Sequence, residues 1–153
     1  FWRGAIAEAG SSGKSVREFC RQRGLKENLF YAWRRTLKTR GCRTVSNAVV
    51  ACTDPKMFRT VGERAAFDRV ADRARLTRWG GDCYAYCLLA MGLIDIVIEA
   101  SLHAYDVQAL IPIVEAAGGA ITTWTGTPCD EGGSVVACGD RALLAQVLDL
   151  LAG

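Results

Sequence analysis

Residues 80–119, GGDCYAYCLLAMGLIDIVIEASLHAYDVQALIPIVEAAGG, constrain the fold more than any other stretch of the chain. One Gly-Gly pair opens the stretch and a second closes it. "CYAYCLLAMG" reads as a buried helix ending at Gly92, and "IDIVIEA" as a strand with Asp95 and Glu99 flanking its apolar run. "VQALIPIVEAAGG" reads as a helix stopped by Gly118-Gly119, its first turns weakened by Pro112. The same alternation extends to either side. Thr44–Cys52 is an expected strand, Val61–Arg75 an amphipathic helix with Phe67, Val70 and Ala71 facing inward, "AITTWTG" and "SVVACG" short strands, and "DRALLAQVLDLLAG" a closing helix with Asp140 as its N-cap. Strands and helices in alternation imply a layered α/β domain.

A charge at the start of a buried helix needs an explanation, and Asp106 stands there. Burying an unpaired carboxylate costs several kcal/mol, so Asp106 caps the helix, pairs with a cation or binds a metal. Glu99 at a strand end and Asp106 at the next helix start place two carboxylates near one cleft. Such hard oxygen ligands suit Mg²⁺, or a polyol or amine substrate. The Gly80-Gly81 turn offers backbone N–H groups to an anion such as phosphate at a helix N-terminus. Structural roles explain the same residues: a turn at the glycines, an N-cap at Asp106 and a solvated Glu99.

The first 43 residues have a different composition. They carry eleven Lys and Arg against three Glu, whereas the remainder carries eight against thirteen Asp and Glu. Ser15 is a fitting N-cap with Glu18 completing a capping box, and Gly24 a helix stop, giving a helix from Val16 to Arg23 that buries Val16, Phe19 and Cys20. A second helix is expected from Glu27 to Thr39, with Leu29, Phe30, Trp33 and Leu37 on its inner face, and a weaker one over Trp2 to Glu8. Two short helices about a glycine turn make a helix-turn-helix. Arg34, Arg35, Lys38 and Arg40 are then candidates for phosphate contacts, and Asn28, Tyr31 and Arg34 for base edges. A solvated basic face on a helical hairpin accounts for the same pattern.

Half the residues are hydrophobic, enough for a true core. No uncharged apolar run reaches the roughly eighteen residues of a membrane span, and the start lacks a signal-peptide pattern. A soluble, cytoplasmic protein without membrane contact is expected, and Phe1 in place of Met is the mark of a fragment. The seven cysteines lack a paired CxxC framework and only one histidine, His103, accompanies them, so reduced thiols are expected rather than a zinc site.

Two resemblances add to this reading. "SVREFCRQRGL" followed by "LFYAWRRTLK" resembles the helix-turn-helix of insertion-sequence transposase accessory proteins, and implies a DNA partner for residues 15–40. From about Arg43 onward the chain resembles the C-terminal half of the inositol monophosphatase family, Mg²⁺-dependent phosphomonoesterases, most closely the histidinol-phosphatase-like branch. Tyr105-Asp106 stands where that family has Trp-Asp, and the helix that follows ends in Ala117-Gly118-Gly119. The resemblance implies that Asp106 is a metal ligand beside the substrate, that Gly80, Gly81 and Asp82 form the substrate-contacting loop, and that Glu99 binds substrate. It also implies a helix glutamate and an Asp-Pro-x-Asp-Gly-Thr segment, which are absent here. "TDPKMF" has Met57 where a second Asp is required, and better matches the stretch after the "VSNAVVAC" strand, so Asp54 is a decoy.

The expected organisation is therefore a helix-turn-helix over 1–41 and an incomplete phosphatase-like α/β domain over 42–153. By family, the chain is a phosphatase of histidinol or inositol phosphate, a small phosphorylated metabolite, inactive alone. The alternative is a DNA-binding protein with a passenger α/β domain. Exposed apolar surface is expected to make the chain marginally stable and to favour a homo-oligomer.

Overall fold

The structure, a computed structural model, describes residues 2–36 and 38–153, and for residues 2–4, 6, 7 and 33–36 the backbone alone. The chain divides into two compact units, Phe1–Lys38 and Thr39–Gly153. In the smaller unit, helices α1 (Trp2–Ser11), α2 (Val16–Arg23) and α3 (Glu27–Thr36) enclose Phe19, Cys20 and Phe30. Local chemistry sets the limits of α2. The Ser15 hydroxyl accepts the Glu18 N–H at 3.2 Å, and Gly24 takes the left-handed conformation at φ 64°, which costs glycine little. Leu29, expected on the inner face of α3, is instead 43% exposed. It lies about 100° around the helix from buried Phe30, beyond the reach of this small core. Asn28, Tyr31 and Lys38 are exposed; the side chains of Trp33, Arg34, Arg35 and Leu37 lie outside the described residues.

The larger unit is built on one five-stranded sheet of order β2-β1-β3-β5-β4. Strand β1 (Val49–Cys52) runs parallel to β2 (Leu76–Trp79) and to β3 (Ile96–His103), while β5 (Gly132–Cys138) runs antiparallel to β3 and to β4 (Ala120–Thr123). Helices α4 (Val61–Ala71) and α8 (Arg141–Ala152) cover one face. There Phe67, Val70, Leu143 and Val147 meet Val50, Ile96, Ile98 and Val136. The other face packs Val49, Val97, Val135 and Ala137 against residues of α5 (Cys83–Ala90), α6 (Ala104–Val107) and α7 (Ile111–Ala116). Successive strand residues thus enter opposite cores, as a pleated strand covered on both sides requires.

Several elements differ from the sequence reading. The stretch Thr44–Cys52 is a strand only from Val49, with a 3-10 turn over Val45–Asn47 before it. Strand β2 has no counterpart in that reading, and α4 ends at Ala71 rather than Arg75. The helix expected to run up to Gly118 is two helices, because Pro112 has no N–H and is tolerated only in a first helical turn, where α7 places it. Gly119 lets α7 return to β4: a Cβ there would lie 2.7 Å from the Cys138 carbonyl oxygen and 2.9 Å from Val114 Cγ1.

Arg40 is not available as the phosphate contact expected of it. Its Nε and Nη2 donate to the two carboxylate oxygens of Asp95 at 2.9 and 2.6 Å, and Asp95 Oδ2 also accepts the Val49 N–H at 2.8 Å. Asp95 is 1% exposed. A fully ligated ion pair thus fixes the segment preceding β1 to the entry of β3. No helix among the described residues is long and apolar enough to cross a membrane.

Candidate active site

The sheet's parallel half carries a cavity of ≈ 390 Å³ among the ends of β1 and β3 and the starts of α5 and α6; Thr53, Asp82, Tyr86, Glu99, Ser101 and Asp106 are among its lining residues. That volume falls within the range of about 300–1,000 Å³ usual for small-ligand sites. The placement is the one α/β sheets favour, beyond the carboxyl ends of parallel strands.

Glu99 occupies the floor. It lies within β3, not at its end, and is 3% exposed, so its expected solvation does not hold. Its carboxylate projects on the same side as Val97, toward α5, where the Tyr86 hydroxyl donates to Oε2 at 2.8 Å and the Thr53 hydroxyl donates to Oε1. Burial is the main cause that raises the Glu99 carboxyl above the ordinary glutamate range. The two hydroxyl donors and the Thr53 backbone N–H oppose the rise, and the nearby Asp82 charge adds to it. Burial, followed by the Glu99 charge, lifts Tyr86 well above the usual phenol range, which keeps it a protonated donor.

Immediately after Glu99 the strand is irregular. The register with β5 shifts between Glu99 and Leu102, and Ser101 sits at φ 60° with its hydroxyl on the Met57 carbonyl at 3.3 Å. A bulge of this kind redirects a strand at the edge of a site. Beyond it, Asp106 opens α6: Oδ2 accepts the His103 N–H at 2.8 Å, the reciprocal half of a capping box. The helix-start explanation for Asp106 therefore holds. Asp106 also lies on the cavity wall, and its Oδ1 accepts no hydrogen bond among the described residues.

The glycine loop contributes less directly. Gly80 and Gly81 adopt φ 90° and 108°, and the turn they make delivers Asp82 to the cavity at a strained φ of 44°. Neither glycine is among the lining residues. The Gly80 N–H donates to the carbonyls of Cys52 and Thr53 at 3.0 and 2.9 Å, so it does not serve as the anion donor expected of it. Asp54 caps a 3-10 turn by accepting the Lys56 N–H at 2.8 Å. Its neighbour Thr53, which the sequence reading passed over, contacts Glu99, as does Tyr86. Their only sequence signal is position: Thr53 directly follows a buried strand, and Tyr86 lies one turn into the helix after the glycines.

Among the described residues no Lys, Arg or His lines this cavity, while three carboxylates do. Such a wall favours cationic or hydroxyl-bearing ligands, or a bound cation. Mg²⁺ was expected at Asp106, and the free Oδ1 fits one such bond. Among the described residues, however, no three His, Cys, Asp or Glu side chains gather as a metal-binding group. These residues by themselves therefore fit one edge of a metal site and not a whole one. The cysteines are all free, and burial pushes the thiols of Cys20, Cys129, Cys138 and Cys52 up, that of Cys52 to about 12, so these four are not nucleophiles at neutral pH.

The sequence profile of the Inositol monophosphatase family matches residues 16–152. The chain belongs to this family. The match reaches further toward the N-terminus than the Arg43 limit read from the motifs, and takes in α2 and α3. Among curated family relatives, the chloroplastic bifunctional phosphatase IMPL2 of Arabidopsis thaliana is 40% identical over 124 residues, which are 75% of this chain and 36% of that protein. A histidinol-phosphatase of Mycobacterium tuberculosis is 38% identical over 76 residues, 50% of this chain and 29% of its own length. An inositol monophosphatase from Zymomonas mobilis superimposes with a TM-score of 0.73 at 38% identity, covering 76% of this chain and 47% of that one. The chain thus spans about a third of the two curated relatives and about half of the solved inositol monophosphatase.

Proposed function

We propose that the cavity binds the alcohol portion of a small phosphate monoester, such as histidinol phosphate or an inositol monophosphate, and that the protein descends from a Mg²⁺-dependent phosphomonoester hydrolase. The observation that carries this reading is the buried Glu99. It is a carboxylate kept in an apolar sheet without a cation, held by two hydroxyls and a backbone N–H and lining a ligand-sized cavity. Asp106, with one oxygen engaged in capping and the other toward the cavity, is the metal-ligand candidate, and Asp82 the loop residue beside the substrate. Mg²⁺, where bound, would neutralise the phosphate and polarise it. What the chain's own side chains do is hold and orient the ester: Glu99 accepts from its hydroxyl or amine, and Asp106 lines the same cavity.

With one metal ligand of its own, the 153-residue polypeptide is proposed to bind such esters and to turn them over very slowly or not at all. Calorimetric titration with histidinol phosphate and inositol monophosphate in the presence of Mg²⁺, alongside phosphate-release assays, tests both parts. Saturable binding with little phosphate release is the expected result, rapid release would overturn the inactivity, and no binding would overturn the site. Leu76, Trp79, Tyr84 and Leu93 are exposed, and self-association through such apolar side chains is proposed. The DNA-contact reading of Asn28, Tyr31, Arg34, Arg35 and Lys38 has only charge and the exposure of three of these residues behind it.

A further inference from the structure

We infer that Tyr86 is a positioning residue which, together with Thr53, makes the cavity selective for esters whose alcohol portion carries a hydrogen-bond donor. This rests on the function proposed above and adds how Glu99 comes to select. An ionised carboxylate offers about four acceptor positions on its two oxygens. The Thr53 hydroxyl takes one on Oε1, the Tyr86 hydroxyl one on Oε2 and the Thr53 backbone N–H a third, so about one position is left open. Glu99, Tyr86 and Thr53 all line the cavity, so a ligand entering it can meet that open position.

The two donors come from separate elements, Thr53 from the loop after β1 and Tyr86 from the body of α5. Each fixes one oxygen, and with both in place the carboxylate plane cannot rotate. Tyr86 is 1% exposed and is held against the sheet by its packing with Ala51, Val97 and Leu89. A ligand with an O–H or N–H at the right distance gains a charge-assisted hydrogen bond. One without it leaves a buried carboxylate under-coordinated, and such sites reject donor-less analogues strongly. If the hydroxyls served only to compensate a buried charge, their loss would change stability and leave ligand preference unaltered.

The test uses the full chain and three probes with Mg²⁺ present: inositol 1-phosphate, histidinol phosphate, and inorganic phosphate, which has no alcohol portion. Tyr86→Phe removes one hydroxyl and is expected to weaken both esters about tenfold while leaving the inorganic phosphate affinity unchanged. Thr53→Val is expected to do the same, and Thr53→Ser, which keeps the hydroxyl, to restore ester binding. This pair carries the test should Tyr86→Phe fail to fold. Ester binding unchanged in Tyr86→Phe and Thr53→Val, or ester and phosphate affinities falling together, would overturn the positioning role while the proposed function stands. A wild-type chain that does not distinguish the esters from inorganic phosphate would overturn both.

Discussion

Asp95, just before β3, and Glu99, within it, lie close together on one chain segment and are both almost wholly buried, at 1% and 3% exposure, yet they are solved in opposite ways. Asp95 has a guanidinium across both oxygens and a backbone N–H besides. Glu99 has two neutral hydroxyls and the Thr53 backbone N–H, no cation, and an open cavity in front. A buried charge that serves the fold is fully paired, because an unpaired one is costly. A buried charge left partly satisfied is a sacrifice of stability, and such sacrifices gather where ligands bind.

The comparison can be broken first at the paired end. Arg40→Met leaves Asp95 buried without its cation and is expected to lower the unfolding free energy by about 3 kcal/mol, the low end for a broken buried pair because the Arg40 side chain is half-exposed. Urea denaturation measures this, and the double variant with Asp95→Leu should recover most of the loss. At the other end the sign reverses. Glu99→Gln removes a charge from an apolar setting and is expected to stabilise the fold by about 1 kcal/mol near neutral pH.

The pH dependence sharpens the same contrast. Glu99 titrates higher in the folded protein than its ordinary value of 4.5, so between the two values the folded state holds more protons than the unfolded one. Stability is therefore greatest at the acid side of that window, as far as this group is concerned, and is lost as pH rises through the folded value. Denaturation curves from about pH 4.5 upward should show that decline in the wild type and its absence in Glu99→Gln. The smallest effect is expected at Asp106, in its Asn variant. Asp106→Ala loses the His103 N–H acceptor and is expected to cost about 1 kcal/mol, whereas Asp106→Asn keeps an oxygen there and should melt within a few tenths of a kcal/mol of wild type.

The layered α/β fold was readable because its signals are local. A β-branched run, a Gly stop and an Asp N-cap each act over a few residues, and α5, β3 and α8 follow from them. Strand β2 was not readable: its four residues, Leu76 to Trp79, sit at a sheet edge with no fully buried member, so they carry no alternation. The sequence pointed to the carboxylates that line the cavity and not to the residues that hold them. Arg40 is 55 positions from Asp95, and Thr53 is 46 from Glu99. Only the parallel pairing of β1 with β3 brings Thr53 to Glu99. For the same reason Glu99 reads as solvated when its strand is taken alone, although it is covered by α5.

The central claim is that Glu99 is kept for a ligand rather than for the fold. Its most direct test is one paired measurement on Glu99→Gln: the melting temperature, and the affinity for histidinol phosphate and inositol 1-phosphate with Mg²⁺. The account predicts a melting temperature equal to or above that of wild type and ester binding weakened at least about tenfold. A variant that melts well below wild type, or that binds both esters as wild type does, would contradict it.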